Sequence, residues 1–432
     1  MNKMSAFQII TLAVFAAFAV ASVLIFAFVL SSAGDNSAGP VTIWGPFDES
    51  VMGEAIQQYA EKDANFEQVT YVRKDEDTYM QEIIGALAKG TGPDLFLLRQ
   101  DHAYAAASII QPEPYESLAR TKFEGAFIDG ARPFLGASGV LGIPFMADPL
   151  VLYWNRDLLA AAGSARPPVF WDELYDLARE MTERTETGTI TRSAIAFGEY
   201  GNIAHAKMIL GMLIMQAGGA ITAYDRDGRL MVALSPASGE SRQAASSALR
   251  FYTEFADPSK DWYTWNRSMP ASRDAFAAGD VGLYFGLASE EALIRQMNPN
   301  LNFSATSTPQ VRNMNALGAG YVYALAVPRT SANPAGARQI AFLLGGREAA
   351  DLFAPLLRLV SARRDALAEL GGENELVKRQ AILMRSWVDP DPVATEVIFR
   401  DMIQNTTSGA TLLSDAIQRA EQQLQSLLNT NI

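Results

Sequence analysis

Apolar positions recur along this chain with three different spacings, and each spacing predicts a different element. From Met4 to Gly34 no side chain is charged, and Phe7 to Leu30 is apolar apart from Gln8, Thr11 and Ser22. At about 1.5 Å per residue, a helix of that length covers the roughly 30 Å of bilayer hydrocarbon. One N-terminal transmembrane helix is therefore predicted, with residues 1–34 as anchor and 35–40 as tether. Lys3 before the run and Asp35 after it orient the N-terminus to the cytoplasm and the rest of the chain outside. The small residues Ser31 and Ala33 also fit a cleaved signal peptide, but a signal core is about 7 to 15 residues, so the length favours a retained anchor.

Beyond residue 40 the pattern alternates between short apolar runs and helical faces. Val41 to Trp44 reads as a strand, Glu49 to Lys62 as a helix, and Gln68 to Arg73 as a strand. Thr78 with Gln81 forms a capping-box pattern before Met80, Ile83, Ile84, Leu87 and Ala88, which share one helical face. Leu95 to Leu98 is a continuous apolar run, as expected of a parallel strand covered on both faces. Such a unit is a doubly wound α/β sheet, which binds ligands at the carboxyl ends of its strands. Trp44 to Asp48 and Arg99 to His102 fall at that rim.

The stretch from Leu141 to Leu159 holds Pro144 and Pro149 within an apolar run. Proline lacks the N–H that a central sheet ladder uses, so two strands are predicted, Leu141 to Phe145 and Leu150 to Trp154. Asp148 is then a lone carboxylate at a hinge between two lobes. Past it come helices at 156–162, 172–184, 204–217 and 240–255, and a strand from Ser193 to Phe197 ending at Glu199 and Tyr200. Asp227-Gly228 reads as a hairpin turn rather than a calcium loop, because Ala223 occupies the position of the first ligand. A short helix at 272–278, strands at 281–285 and 318–327, and five further helices to residue 428 complete the reading. Chain crossings between lobes are predicted near 144–149, 280–286 and 322–327.

Charge and rare residues narrow the chemistry. A formal charge of −13 with no basic cluster argues against a nucleic-acid partner. Cysteine is absent, which excludes disulfides, thiolate zinc sites, thiol catalysis and a lipidated cysteine anchor. No catalytic triad order, phosphate loop or metal-ligand spacing appears, so no cofactor and no metal are expected. Of the two histidines, His102 and His205, the second adjoins an apolar helix and reads as a core or surface residue. A carboxylate-pair glycosidase or lyase remains the alternative function class, though any acidic protein supplies the carboxylates.

Several segments closely resemble the family 1 extracellular solute-binding proteins of ABC importers. They are Gly92-Pro93-Asp94-Leu95, Gly142-Ile143-Pro144, Tyr153-Trp154-Asn155-Arg156-Asp157-Leu158-Leu159, Pro168-Val169-Phe170-Trp171-Asp172-Glu173-Leu174 and Ala275-Phe276-Ala277-Ala278-Gly279-Asp280. Phe170 departs from the Thr usual in that family. The resemblance implies a type II periplasmic-binding-protein-like fold of two α/β lobes, 41–146 with 281–325 and 147–280 with 326–432. It also implies a non-enzymatic role, in which a solute is captured by hinge closure and passed to an ABC permease pair driven by a cytoplasmic ATPase.

The aromatic residues favour a sugar as that solute. A pyranose packs its C–H face on an aromatic ring and offers hydroxyls to carboxylates and guanidinium groups. Trp44, Tyr200, Trp265, Tyr284, Tyr321 and Trp387 are the candidate platforms, and Arg99, Asp101 and Asp148 the candidate hydroxyl partners. Each aromatic has core packing as its ordinary alternative; Trp265 is singled out because Thr264, Asn266 and Arg267 surround it with loop chemistry. By resemblance, Asp101 and Asp148 match positions where sugar-binding relatives place acidic ligands. No cluster of Lys or Arg falls near the expected rim, which disfavours a phosphorylated ligand.

Overall fold

The computed structural model describes residues 37–235, 243–369 and 374–430. The apolar run Phe7 to Leu30 lies outside the described residues. Among those described, no helix is long and apolar enough to cross a membrane.

Two buried clusters divide the chain. One gathers Val41, Ile43, Leu95 to Leu98, Phe145 to Ala147, Val322 to Ala326, Ala337 to Leu344 and Met384. The other gathers Leu150 to Tyr153, Ala194 to Phe197, Ile209 to Leu210, Trp265, Val281 to Phe285 and Ile398 to Leu424. The sheet order is 69–73, 41–45, 95–99, 320–326, 143–155, 281–287, 190–195, 183–184. The strands Val41–Gly45, Val69–Arg73 and Leu95–Arg99 run parallel, and the innermost, Leu95–Arg99, is the unbroken apolar run that a strand covered on both faces shows.

The expected break between two strands does not occur: Ile143–Asn155 is one continuous strand running from the first cluster into the second. Its prolines sit where the ladder is already interrupted. Pro144 faces Ala324 beside a register shift, and Pro149 faces Gly320 at the start of the return strand Gly320–Ala326. From Leu150 onward the partner becomes Val281–Leu287. The missing N–H groups thus fall at discontinuities, which reconciles a central strand with two prolines. Gly320 is needed for this approach, because a Cβ there would lie 2.5 Å from the Asp148 carbonyl oxygen.

Lobe membership also differs from the sequence reading. Val281–Leu287 belongs to the second cluster, pairing parallel with Ile190–Ile195 and antiparallel with the distal half of the long strand. Residues 337–384 belong to the first cluster instead. The crossings are therefore the long strand, the return strand and the segment that leaves Met384 and enters the helix Pro392–Thr407. That third crossing is tied to the second: Gly318 N donates to Leu383 O and Arg385 N to Gly318 O, both at 2.9 Å.

The helix Tyr79–Ala88 forms where expected, but its capping box does not. Thr78 has an αR backbone, and its hydroxyl donates to Glu82 Oε1 at 2.8 Å instead of capping an amide. The helix Ala206–Gln216 is buried almost all round, and the turn after Tyr224 closes a two-stranded hairpin, both as read from sequence.

Candidate functional site

The carboxyl end of Leu95–Arg99, the N-terminal halves of helices Tyr79–Ala88 and Pro392–Thr407, one face of helix Ala206–Gln216, and the two later crossings enclose a cleft of about 640 Å³. Its walls come from both clusters, and the crossings form its floor.

On the first wall Arg99 extends from its strand end and grips Asp101 with two parallel bonds, Nε to Oδ1 and Nη2 to Oδ2, each 2.8 Å. Its Nη1 reaches Glu76 Oε1 at 3.1 Å, and its guanidinium lies 4.1 Å over the Tyr321 ring. Burial alone would raise the Asp101 carboxyl, but Arg99, with His102 and Lys207, holds it down at about 2. Burial pulls the His102 pKa below its ordinary value, against the pull of the Asp101 carboxylate.

On the opposite wall Lys207 sits in an otherwise apolar helix, and its ammonium is satisfied in full. It donates to Asp389 Oδ2 at 2.7 Å, Thr395 Oγ1 at 2.6 Å and Pro392 O at 3.3 Å. Burial nevertheless pushes the Asp389 carboxyl up to about 6 against the pull of Lys207. Trp387 lies beside this pair, stacked on Phe399 with 6.0 Å between ring centres. Met208, Gly211 and Met215 line the cleft at helical spacing, and Gly211 leaves the room that Trp387 occupies, 3.6 Å from where a Cβ would stand. Ser386, between Arg385 and Trp387, has a buried hydroxyl without a partner.

The model for the bacterial extracellular solute-binding protein family matches residues 48–350. The chain belongs to that family. A binding protein of Brucella abortus strain 2308 is 23% identical over 270 residues, 61% of this chain and 60% of that protein. The chain thus spans about 60% of the length of the curated relatives it matches. Among solved structures, the cyclic α-maltosyl-1,6-maltose binding protein of Arthrobacter globiformis superposes with a TM-score of 0.72 at 15% identity, over 91% of this chain and 100% of that one. A Thermotoga lettingae ABC transporter solute-binding protein bound with α-D-tagatose gives 0.66 at 21% identity, over 90% and 100%. These likenesses establish the two-lobe periplasmic-binding-protein fold.

In this solute-binding protein the cleft brings together Arg99, Asp101, Tyr321 and Trp387 from the nine residues singled out in the sequence. Tyr200 stands behind the wall, its hydroxyl donating to Glu396, which does line the cleft. Trp44 is half-buried beneath Lys74, whose Nζ lies 4.0 Å from the ring centre, and only its neighbour Pro46 reaches the cleft. Asp148 is 3% exposed, and its carboxylate accepts from Ser289 N at 3.1 Å and Ser289 Oγ at 2.6 Å. It anchors the start of the helix Glu290–Met297 rather than facing a ligand.

Two expected platforms are core residues. Trp265 is wholly buried in the second cluster, because Thr264 N and Trp265 N both donate to Phe255 O and fold the loop inward. Tyr284 is 1% exposed, stacked on Tyr153, with its hydroxyl on Glu290 Oε2 at 2.6 Å. Conversely His205, read as a core or surface residue, lines the cleft in a left-handed conformation and holds Glu290 through Nε2 at 2.6 Å. Cations absent from the expected rim are present in the cleft, yet each is paired within the protein. Lys207 was legible in principle: a lone charge in a buried apolar helix must find a partner.

Proposed function

We propose that this solute-binding protein captures a sugar or short oligosaccharide between its lobes, closes on it, and delivers it to an ABC permease pair served by a cytoplasmic ATPase. The observation that carries the reading is the pairing, in one cleft, of the Trp387 ring with the Arg99–Asp101 pair facing it from the other lobe. A ring for the C–H face and a fixed carboxylate for hydroxyls are what a pyranose requires. Contacts from both lobes give the ligand a higher affinity for the closed state, which drives closure. The solved relatives bound with tagatose or maltotetraose support a carbohydrate by analogy.

The three cations of the cleft support a ligand without phosphate. Arg99 is matched by Asp101, Lys207 by Asp389, and Arg385 by Asp129 at 2.9 Å. A binding rather than hydrolytic role is supported by Asp389. Both its oxygens are already bonded, to Lys207, Thr395 and the Asp391 amide, so it offers no proton to a glycosidic oxygen. The run Phe7 to Leu30 is read as the anchor that keeps the domain on the outer face of the membrane, near the permease.

Calorimetric titration of the full chain, held in a detergent without a sugar headgroup, tests this with neutral mono- to tetrasaccharides. Saturable binding of at least one, with the sugar recovered intact by chromatography, is expected. Release of cleavage products would turn the reading to an enzyme, and binding of none would reject a neutral-sugar ligand.

A further inference from the structure

The charge arrangement of the cleft narrows the solute further, on the sugar reading above. We infer that the preferred ligand carries a protonated amine: an amino sugar, bound more tightly than its neutral or acidic counterparts. The cleft is lined by Arg99, Lys207 and Arg385 against five carboxylates. None of the cations is left unmatched. Every nitrogen of the Arg99 side chain donates, two to Asp101 and one to Glu76. Lys207 spends its three donors on Asp389, Thr395 and the Pro392 carbonyl, and Arg385 on Asp129 and the Met384 carbonyl.

The carboxylates are not matched in the same way. Among the described residues no side chain donates to the Asp77 carboxylate, although Asp77 lines the cleft. Glu396 accepts from the Tyr200 hydroxyl and lies 3.8 Å from Lys207, whose three hydrogen-bond donors are spent elsewhere, so its carboxylate keeps accepting capacity on the side open to solvent. A ligand carboxylate or phosphate entering here meets no free cation and is brought against like charge. An ammonium meets an exposed carboxylate on each lobe, Asp77 on one and Glu396 on the other, and a cleft lined by one excess sign of charge attracts the opposite one. A neutral sugar still binds, because hydroxyls both donate and accept.

Titration of the full chain in a sugar-free detergent at low salt separates the possibilities, using the glucosamine trimer, cellotriose and trigalacturonic acid as probes. The trimer is expected to bind at least tenfold more tightly than cellotriose, and trigalacturonic acid more weakly than either. Raising the salt from about 50 to 500 mM should shrink the first ratio, as screening requires. Asp77→Asn and Glu396→Gln should each lower it as well. Glucosamine trimer binding no tighter than cellotriose would overturn the inference and leave the sugar reading intact. Binding of none of the three would also overturn the inference, whereas the sugar reading falls only if the whole neutral mono- to tetrasaccharide series fails to bind.

Discussion

Lys207 Nζ lies 2.7 Å from Asp389 Oδ2, joining the buried helix of the second lobe to the third crossing of the chain. Both groups are shielded, at 14% and 1% side-chain exposure, so neither is readily solvated if the other is removed. Lys207→Met should therefore cost about 3 to 5 kcal/mol of stability, since it strands a buried carboxylate. Adding Asp389→Asn to it should recover part of the loss. Denaturant unfolding of both variants checks the relation; a neutral Lys207→Met would show that the pair is solvated.

Acid response follows from Asp148 and Asp389, both raised from an ordinary 3.8 to about 6 by burial. A carboxyl with a higher pKa when folded binds its proton more tightly in that state, so its contribution to stability grows from pH 6 down to 4. That contribution is lost as pH rises through 6. Asp101, held at about 2, works oppositely: its contribution is present above 4 and lost as pH falls towards 2. Asp148→Asn should flatten the pH 4 to 6 dependence by about 2 to 3 kcal/mol, at about 1.4 kcal/mol per unit. Urea midpoints measured at pH 4.5 and 7 decide it, and an unchanged slope would contradict the burial argument.

Trp265→Ala should destabilise the fold by about 3 to 5 kcal/mol, the cost of emptying a buried indole site. The protein that remains folded should keep its ligand affinity. Loss of affinity without loss of stability would return Trp265 to the cleft.

Trp387→Ala should behave in the converse way, weakening sugar binding about tenfold through loss of the ring face. Stability should fall less than for Trp265→Ala, because Trp387 is only partly buried. Trp387→Phe should restore most of the affinity. Equal affinities for wild type and Trp387→Ala would exclude this ring as the platform.

Cleft-lining chemistry was legible where it stood at the end of a recognisable strand. Arg99 and Asp101 follow a continuous apolar run, and the rule that parallel sheets bind at their carboxyl ends located them. Trp265 misled because its polar neighbours suggested an exposed loop, while backbone bonds to Phe255 turn that loop into the core. The prolines in the long strand misled for a related reason: pairing partners change at Pro149, and no local pattern encodes where a ladder is interrupted. The strand Val281–Leu287 is apolar throughout and fits either lobe by composition; its parallel register with Ile190–Ile195 is a long-range choice. The segment from Arg385 to Asp389 has no periodicity at all, yet it supplies Ser386, Trp387 and Asp389 to the cleft.

Closure of the two lobes on a sugar is the central claim, and the absence of cysteine makes it directly measurable. Lys89→Cys places one label just past the helix Tyr79–Ala88 and Arg400→Cys one within the helix Pro392–Thr407; the two helices line opposite walls of the cleft, and both positions are exposed. Energy transfer between dyes at these sites should rise saturably when a neutral oligosaccharide that binds in calorimetry is added, and the rise should disappear with Trp387→Ala. A sugar that binds with no change in transfer would contradict capture by closure.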